Sequence, residues 1–255
     1  MDFAGLLTNL IKEFNPQICF HLAAQSSVVV SVGDPLLDFE HNILQPVQLI
    51  KTLLTTDCSK FVFTSSGGTI FGEPNILPTS EEDFAGEPES PYGIGKKKLN
   101  EIITSMTINT YLSYSILNLS NVYGPRQDPH GEAGVVSIFS NKILKNEKPI
   151  IYGDGEQTRD YVYVKDVVNA LILSSKIDSN LFLNIGTGKE TSVNQLLETI
   201  KSEFASDVEP IYKESRKGEL LRSVLNSSKA QKELNWESQF SLNKGIKEVV
   251  SWLKT

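Results

Sequence analysis

Only two cysteines occur in 255 residues, Cys19 inside the apolar run Ile18-Cys19-Phe20 and Cys58 just before the apolar Phe61-Val62-Phe63. Buried free thiols are expected there, rather than a disulfide or a ligand pair, and no metal site is expected. No apolar run reaches the length of a membrane-crossing helix, and the opening residues carry no signal-peptide pattern. Basic residues are the minority: 24 Lys and Arg stand against 31 Asp and Glu, a net charge of −7. That balance argues against a general nucleic-acid binder. The expectation is a reducing, cytoplasmic setting with no membrane partner. Internal repeats and low-complexity segments are missing too. So is any phosphate-cradling glycine pattern. Neither G-x-G-x-x-G nor G-x-x-G-x-x-G occurs, and Gly153-Asp154-Gly155 and Gly186-Thr187-Gly188 each lack the third glycine. With 40% hydrophobic residues, the chain suffices for one large domain or one domain with a smaller lobe.

What the chain does carry centres on Tyr92 and Lys96, four residues apart in Ser90-Pro91-Tyr92-Gly93-Ile94-Gly95-Lys96. Pro91 suits a helix start, because its φ is already helical and its missing N–H costs nothing there. On a helix, positions i and i+4 share a face, so both side chains point into one space. A phenol titrating at about 10 is a poor base, but an ammonium one turn away favours the phenolate. Lys60-Phe61-Val62-Phe63-Thr64-Ser65-Ser66-Gly67-Gly68 reads as a buried strand running into a small-residue loop. The C-terminal ends of strands are where open α/β sheets bind ligands. A hydroxyl there, Ser66 or alternatively Ser65, completes a proton relay to a substrate hydroxyl. A lone Y-x-x-x-K spacing is weak, since most such pairs are solvated helix faces; the serine strand beside it supplies the context.

Further segments follow in a fixed order. They are His21-Leu22-Ala23-Ala24-Gln25, Thr64 to Gly72, Asn121-Val122-Tyr123-Gly124-Pro125-Arg126, Gly153 to Val167, and Arg216-Lys217-Gly218-Glu219. With Tyr92 and Lys96 they resemble the extended short-chain dehydrogenase/reductases, the NAD-dependent nucleotide-sugar epimerases and dehydratases, and above all the UDP-glucose 4-epimerase type. The resemblance runs from about Asn15 to Trp252. It implies an α/β fold: a Rossmann-like doubly wound parallel sheet, N-terminally truncated, with a smaller α/β substrate-binding lobe at the C-terminal side. Residues 1–126 are expected to form the truncated NAD-binding domain. Residues 127–255 are expected to be mainly the nucleotide-sugar lobe, with a part at about 153–190 returning to the Rossmann core. The family's glycine loop and its acidic ribose ligand would lie before Met1, in two βα units of roughly 60 residues. The chain looks like a member without that front end, and is expected to hold NAD weakly and to be inactive alone.

In chain order, an amphipathic helix is expected over 2–14, with Phe3, Leu6, Leu7, Leu10, Ile11 and Phe14 on one side. Residues 17–22 read as a strand buried on both faces. Asp34-Pro35 opens a helix to about Leu54. The Tyr92 helix runs to about Asn109, and 113–119 is a strand. Helix 136–144, a strand and turn over 148–155, a single strand over 159–164, a helix from 164, strand 181–186 and a helix from Ser192 to about Phe204 follow. Residues 228–253 read as mostly helical, with Trp236 and Trp252 as core anchors.

The resemblance implies catalytic roles for Ser66, Tyr92 and Lys96. It implies NAD contacts from Leu22, Ala23, Ala24, Gln25, Asn42, Ser65, Tyr92 and Lys96, and substrate contacts from Ser66, Asn121, Arg159, Arg216 and Glu219. Guanidinium groups match a diphosphate and stay charged; otherwise these arginines are surface ion pairs. Glu219 is implied near a ribose or paired with Arg216. His21 is expected to be structural. Asn118 stands where the family usually has arginine, a structural departure. Gly67 and Gly68 stand where dehydratases carry an Asp-Glu pair, so epimerisation is favoured over loss of water. The implied partners are a UDP-hexose and a second copy of the chain. The alternatives are a non-catalytic fragment that binds a sugar nucleotide or another subunit, and a nucleotide-sugar dehydratase or reductase.

Overall fold

The computed structural model describes residues 3–83, 86–129, 134–216 and 220–255. In chain order its elements begin α1 (Phe3–Phe14), β1 (Ile18–His21), α2 (Val28–Gly33), α3 (Pro35–Phe39), a π-helical turn (Glu40–Leu44), α4 (Gln45–Leu53), β2 (Lys60–Ser66), α5 (Pro91–Met106) and β3 (Ser113–Leu119). They continue β4 (Asn121–Tyr123), α6 (Val135–Leu144), β5 (Ile150–Tyr152), β6 (Thr158–Arg159), β7 (Tyr161–Tyr163), α7 (Val164–Ser174) and β8 (Leu181–Ile185). The last are β9 (Thr191–Ser192), α8 (Val193–Phe204), β10 (Ile211–Lys213), β11 (Arg222–Ser223), α9 (Ser228–Leu234) and α10 (Leu242–Leu253). Helices alternate with a parallel sheet, as the α/β expectation requires. The chain divides into two compact units.

Unit 1 comprises Met1–Gly72, Glu87–Asn118 and Leu171–Leu183. Its sheet has the order β1-β2-β3-β8. β1 and β2 run parallel, with Cys19 opposite Phe61 and His21 opposite Phe63. Phe61 and Phe63 meet Ile50, Leu53, Leu99 and Ile103 in one buried cluster, so α4 and α5 cover one face of the sheet. The sequence predicts a two-sided burial for β1 that the fold does not give it. Ile18 is 40% and Phe20 43% exposed, because β1 is an edge strand among the described residues. Likewise α1 buries Ile11 against the cluster, while Leu6, Leu10 and Phe14 stay exposed. Both thiols are free, Cys58 buried and Cys19 half-buried. The expected helix from Asp34 forms with a π turn in its middle, where the Gln45 N–H bonds the Glu40 carbonyl five residues back. Pro46 explains the turn: it has no N–H to give, and its ring would press on the carbonyl four residues before it.

Unit 2 comprises Glu73–Gly86, Leu119–Ala170 and Asn184–Thr255. Its core packs Tyr123, Val136, Phe139, Tyr163, Leu196, Ile200, Ile246 and Val249. α8 starts in a capping box, with Ser192 and Gln195 each bonding the other's backbone. The single strand expected over 159–164 is two strands in different sheets: β6 lies between β11 and β9, and β7 pairs with β4. The break is Asp160. Its buried carboxylate accepts from Thr187 N (2.9 Å), Thr187 Oγ1 (2.6 Å) and Gly188 N (3.2 Å), and that pull turns the chain. Trp236 is a core anchor, 2% exposed, with Nε1 donating to the Asp166 carbonyl at 2.9 Å. Trp252 is not, at 39% exposure. The helical end is two helices, α9 and α10, separated by an irregular segment that opens with Asn235 at a φ of 51° and carries Trp236.

Candidate functional site

α5 begins as its sequence dictates. Ser90 is the N-cap, its hydroxyl accepting from Gly93 N at 3.1 Å, and Pro91 fills the first turn. Tyr92 and Lys96 therefore stand one turn apart, on the side facing β2. The Lys96 ammonium lies 4.7 Å from the centre of the Phe63 ring and 5.8 Å from that of Tyr92. It donates to the Thr64 carbonyl at 3.2 Å. Lys96 is 3% and Tyr92 9% exposed. Burial pushes the Lys96 ammonium down to about 8, while the negative charge of Asp38 works against that shift.

The end of β2 supplies the hydroxyls. Side chains alternate along a strand, so Ser65 shares the Phe63 side and Ser66 takes the other. Ser65 Oγ is buried with no hydrogen-bond partner among the described residues. The same holds for Thr69 Oγ1, which sequence reasoning passed over. Thr69 lies against α5: a side chain on Gly93 would meet its carbonyl at 3.0 Å and its Cβ at 3.3 Å. Gly93 thus lets the turn after β2 close onto the residue next to Tyr92.

The loop after β1 exposes Leu22, Ala23 and Ala24. Gln25 turns inward, its Nε2 donating to Asp38 Oδ1 at 2.5 Å. Asn42, in the π turn, is 1% exposed. Its Nδ2 donates to the Gln25 carbonyl at 2.8 Å and to Asp38 Oδ1 at 2.9 Å. Asp38 is fully buried and is the second residue absent from the sequence prediction. Its one sequence signal is its place four residues before Asn42. His21 stacks on Phe61 and Phe63, at 6.0 and 5.9 Å between ring centres. Burial, then the nearby Lys96 charge, hold its imidazole down to about 4, in keeping with a structural histidine.

In unit 2, Asn121 opens β4 and is exposed, with its backbone N bonding the Asp160 carbonyl at 2.9 Å. Arg159, half-buried at the end of β6, donates from Nη1 to the Thr158 carbonyl at 2.8 Å. The Arg216 guanidinium lies 3.9 Å over the Tyr152 ring, a stacked arrangement that pre-sets a planar cation. Glu219 lies outside the described residues. Asn118, in place of the family's usual arginine, is fully buried in β3 of unit 1. Unit 2 also holds a cavity of about 670 Å³ along Thr187, Gly188, Gln231 and Gln239, and none of the predicted site residues lines it.

A family profile described as GDP-mannose 4,6 dehydratase matches residues 2–249. The chain belongs to this family. Within it, the UDP-glucose 4-epimerase of Mycolicibacterium smegmatis is 43% identical over 250 residues, 97% of this chain and 79% of the relative. The solved UDP-glucose 4-epimerase of Thermotoga maritima, with UDP-glucose, superposes with a TM-score of 0.96 at 42% identity, covering 99% of this chain and 82% of the other. The Thermus thermophilus UDP-glucose 4-epimerase, complexed with NAD, gives 0.91 at 35% identity, covering 98% and 82%. At these scores the Rossmann-like architecture of the family is the architecture of this chain.

Proposed function

We infer that this protein is an NAD-dependent isomerase that inverts C4 of a UDP-hexose. The observation that carries the reading is the buried Tyr92–Lys96 pair on one face of α5, set against the end of β2, in a chain whose relatives are UDP-glucose 4-epimerases. Residues of unit 1 fit NAD. Asn42 Oδ1 and Ser65 Oγ are buried polar atoms with no protein partner among the described residues. Lys96 offers a charge beside them, and Leu22 to Gln25 offer small side chains and accessible backbone. These residues would hold the nicotinamide half. NAD, when bound, supplies the reversible hydride acceptance that the sugar C4 requires.

The chain's own groups handle the proton. Tyr92 takes it from the C4 hydroxyl and returns it, Lys96 favours the phenolate, and a hydroxyl at the end of β2 relays: Ser66 by the resemblance, or Ser65, the second candidate, which shares the Phe63 side of the strand. Arg159 and Arg216 bind the diphosphate and Asn121 contacts the substrate, while the substrate role of Glu219 rests on the family resemblance alone. Gly67 and Gly68 offer no acid for elimination, so the dehydratase reading loses support despite the family's description. Leu36, Leu44 and Ile94 are 81%, 63% and 39% exposed on α3, the π turn and α5 of unit 1, a face suited to a second copy of the chain. The two free thiols support a reducing, cytoplasmic setting, and no helix among the described residues is long and apolar enough to cross a membrane.

The test is to incubate the full chain with NAD and UDP-galactose and to assay UDP-glucose with a coupled dehydrogenase. This reading expects interconversion without a 4-keto-6-deoxy product, an outcome that would overturn the expectation from the sequence that the chain holds NAD weakly and is inactive alone. Binding of UDP-hexose with no interconversion would leave the non-catalytic reading in its place.

A further inference from the structure

Lys96 must be charged to favour the Tyr92 phenolate, yet it sits 3% exposed between aromatic rings. An isolated ammonium in such a place releases its proton rather than stay charged. Every element packed around it bears on its charge. β2 presents the Phe63 ring and the Thr64 carbonyl, neither of which titrates. β1 presents His21, whose protonation would oppose that of Lys96. α5 itself presents Tyr92. In the π turn, Glu40 and His41 flank Asn42 but are exposed. α3 presents Asp38, fully buried.

Asp38 is built into the site by two hydrogen bonds and by a close approach to α5. Its Oδ1 receives both Gln25 Nε2 and Asn42 Nδ2, at 2.5 and 2.9 Å. Its Oδ2 faces α5 beside Lys96: a side chain on Gly95 would stand 3.3 Å from it, so glycine there is what admits the carboxylate. A buried carboxylate persists only where donors or an opposite charge compensate it; this one has the Gln25 and Asn42 donors and lies within electrostatic reach of Lys96. The two donors it fixes belong to Gln25 and Asn42, both proposed above to line the NAD site.

We propose that Asp38 is a positioning residue of the relay: a single buried carboxylate orients Gln25 and Asn42 and supplies the counter-charge that keeps Lys96 an ammonium. The role rests on the reading of Tyr92 and Lys96 as the acid/base pair. It acts through Lys96 and touches no reacting atom. Coupling between two sites is reciprocal, so Lys96 must hold Asp38 ionised by the same free energy.

The experiment uses the full chain without NAD or sugar, so it does not depend on turnover. Side-chain NMR follows the Lys96 amine, and ultraviolet difference titration against Tyr92→Phe follows the Tyr92 phenol. In Asp38→Asn, the Lys96 midpoint is expected to fall by about one pH unit, and the Tyr92 midpoint to rise. With NAD present, kcat for UDP-galactose should fall while KM holds, because the substrate arginines are untouched. An unchanged Lys96 midpoint in folded Asp38→Asn overturns the proposal. Should that variant not fold, the Asp38 carboxyl is titrated in wild type and in Lys96→Met. A raised midpoint in Lys96→Met supports the coupling, and an unchanged one overturns it. An inactive wild type with intact coupling would fault the epimerase reading and not this one.

Discussion

Lys96 in unit 1 and Arg216 in unit 2 are both cations for which we propose a ligand role, but the fold treats them in opposite ways. Lys96 is walled in by Phe63, Tyr92 and a backbone carbonyl. Arg216 lies exposed on the Tyr152 ring. The difference follows from the chemistry each group can do. An ammonium that must tune a neighbouring phenol gains from low dielectric, where a nearby charge acts strongly. A guanidinium that must catch a diphosphate stays charged in any surroundings and needs only to be held flat and reachable. The buried half is therefore sensitive to single atoms and to pH, and the open half to loss of charge.

The largest expected effect breaks the buried half. Tyr92→Phe removes the proton carrier with little change of shape, and turnover should drop by ~10²–10⁴ in the coupled assay. Near-normal turnover would take Tyr92 out of the mechanism.

The next effect belongs to the same half and appears as stability. His21 is held down to about 4 against an ordinary value of 6.5. The unfolded chain therefore binds the extra proton first, and stability falls as pH drops from 6.5 towards 4. The loss from this group should be about 3 kcal/mol or less. Urea unfolding at several pH values should show it, and His21→Phe should flatten that limb. An equally steep limb in the variant would assign the acid sensitivity to other groups.

The smallest effect probes the open half. Arg159→Ala and Arg216→Ala should each weaken UDP binding by about 1.5–3 kcal/mol, the range for charge-assisted hydrogen bonds. Calorimetry is the measurement, and the unfolding curves should barely move. Wild-type affinity in both variants would remove the diphosphate assignment.

The shared face of Tyr92 and Lys96 was legible in the sequence because its geometry is local. Pro91 starts a helix, and four residues set Tyr92 and Lys96 on one side. Phe61 and Phe63 announce the buried strand that carries Ser65 and Ser66. What was not legible depends on contacts distant along the chain. Asp160 breaks an apparent strand because Thr187 and Gly188 bond its carboxylate. β1 reads as doubly buried by composition, yet its place at the sheet edge leaves Ile18 and Phe20 open. Trp252 reads as an anchor by size alone, while Trp236 earns its burial through Asp166. Asp38 looks like a surface acid until Gln25, Asn42 and Gly95 are brought around it.

The π turn also settles a matter of winding. Asp38, Asn42, Pro46 and Ile50 are all buried and recur at intervals of four. In an unbroken α-helix each residue turns about 100°, so every such step creeps forward by about 40°. Three steps would swing Ile50 about 120° away from Asp38, and one of them would face water. The additional residue in the turn winds the rod back by about 100°, leaving a net creep of about 20°. One helix can thus hold the Asp38 carboxylate against Gln25 and Asn42 at one end and an isoleucine in the hydrophobic cluster at the other, along a nearly straight line.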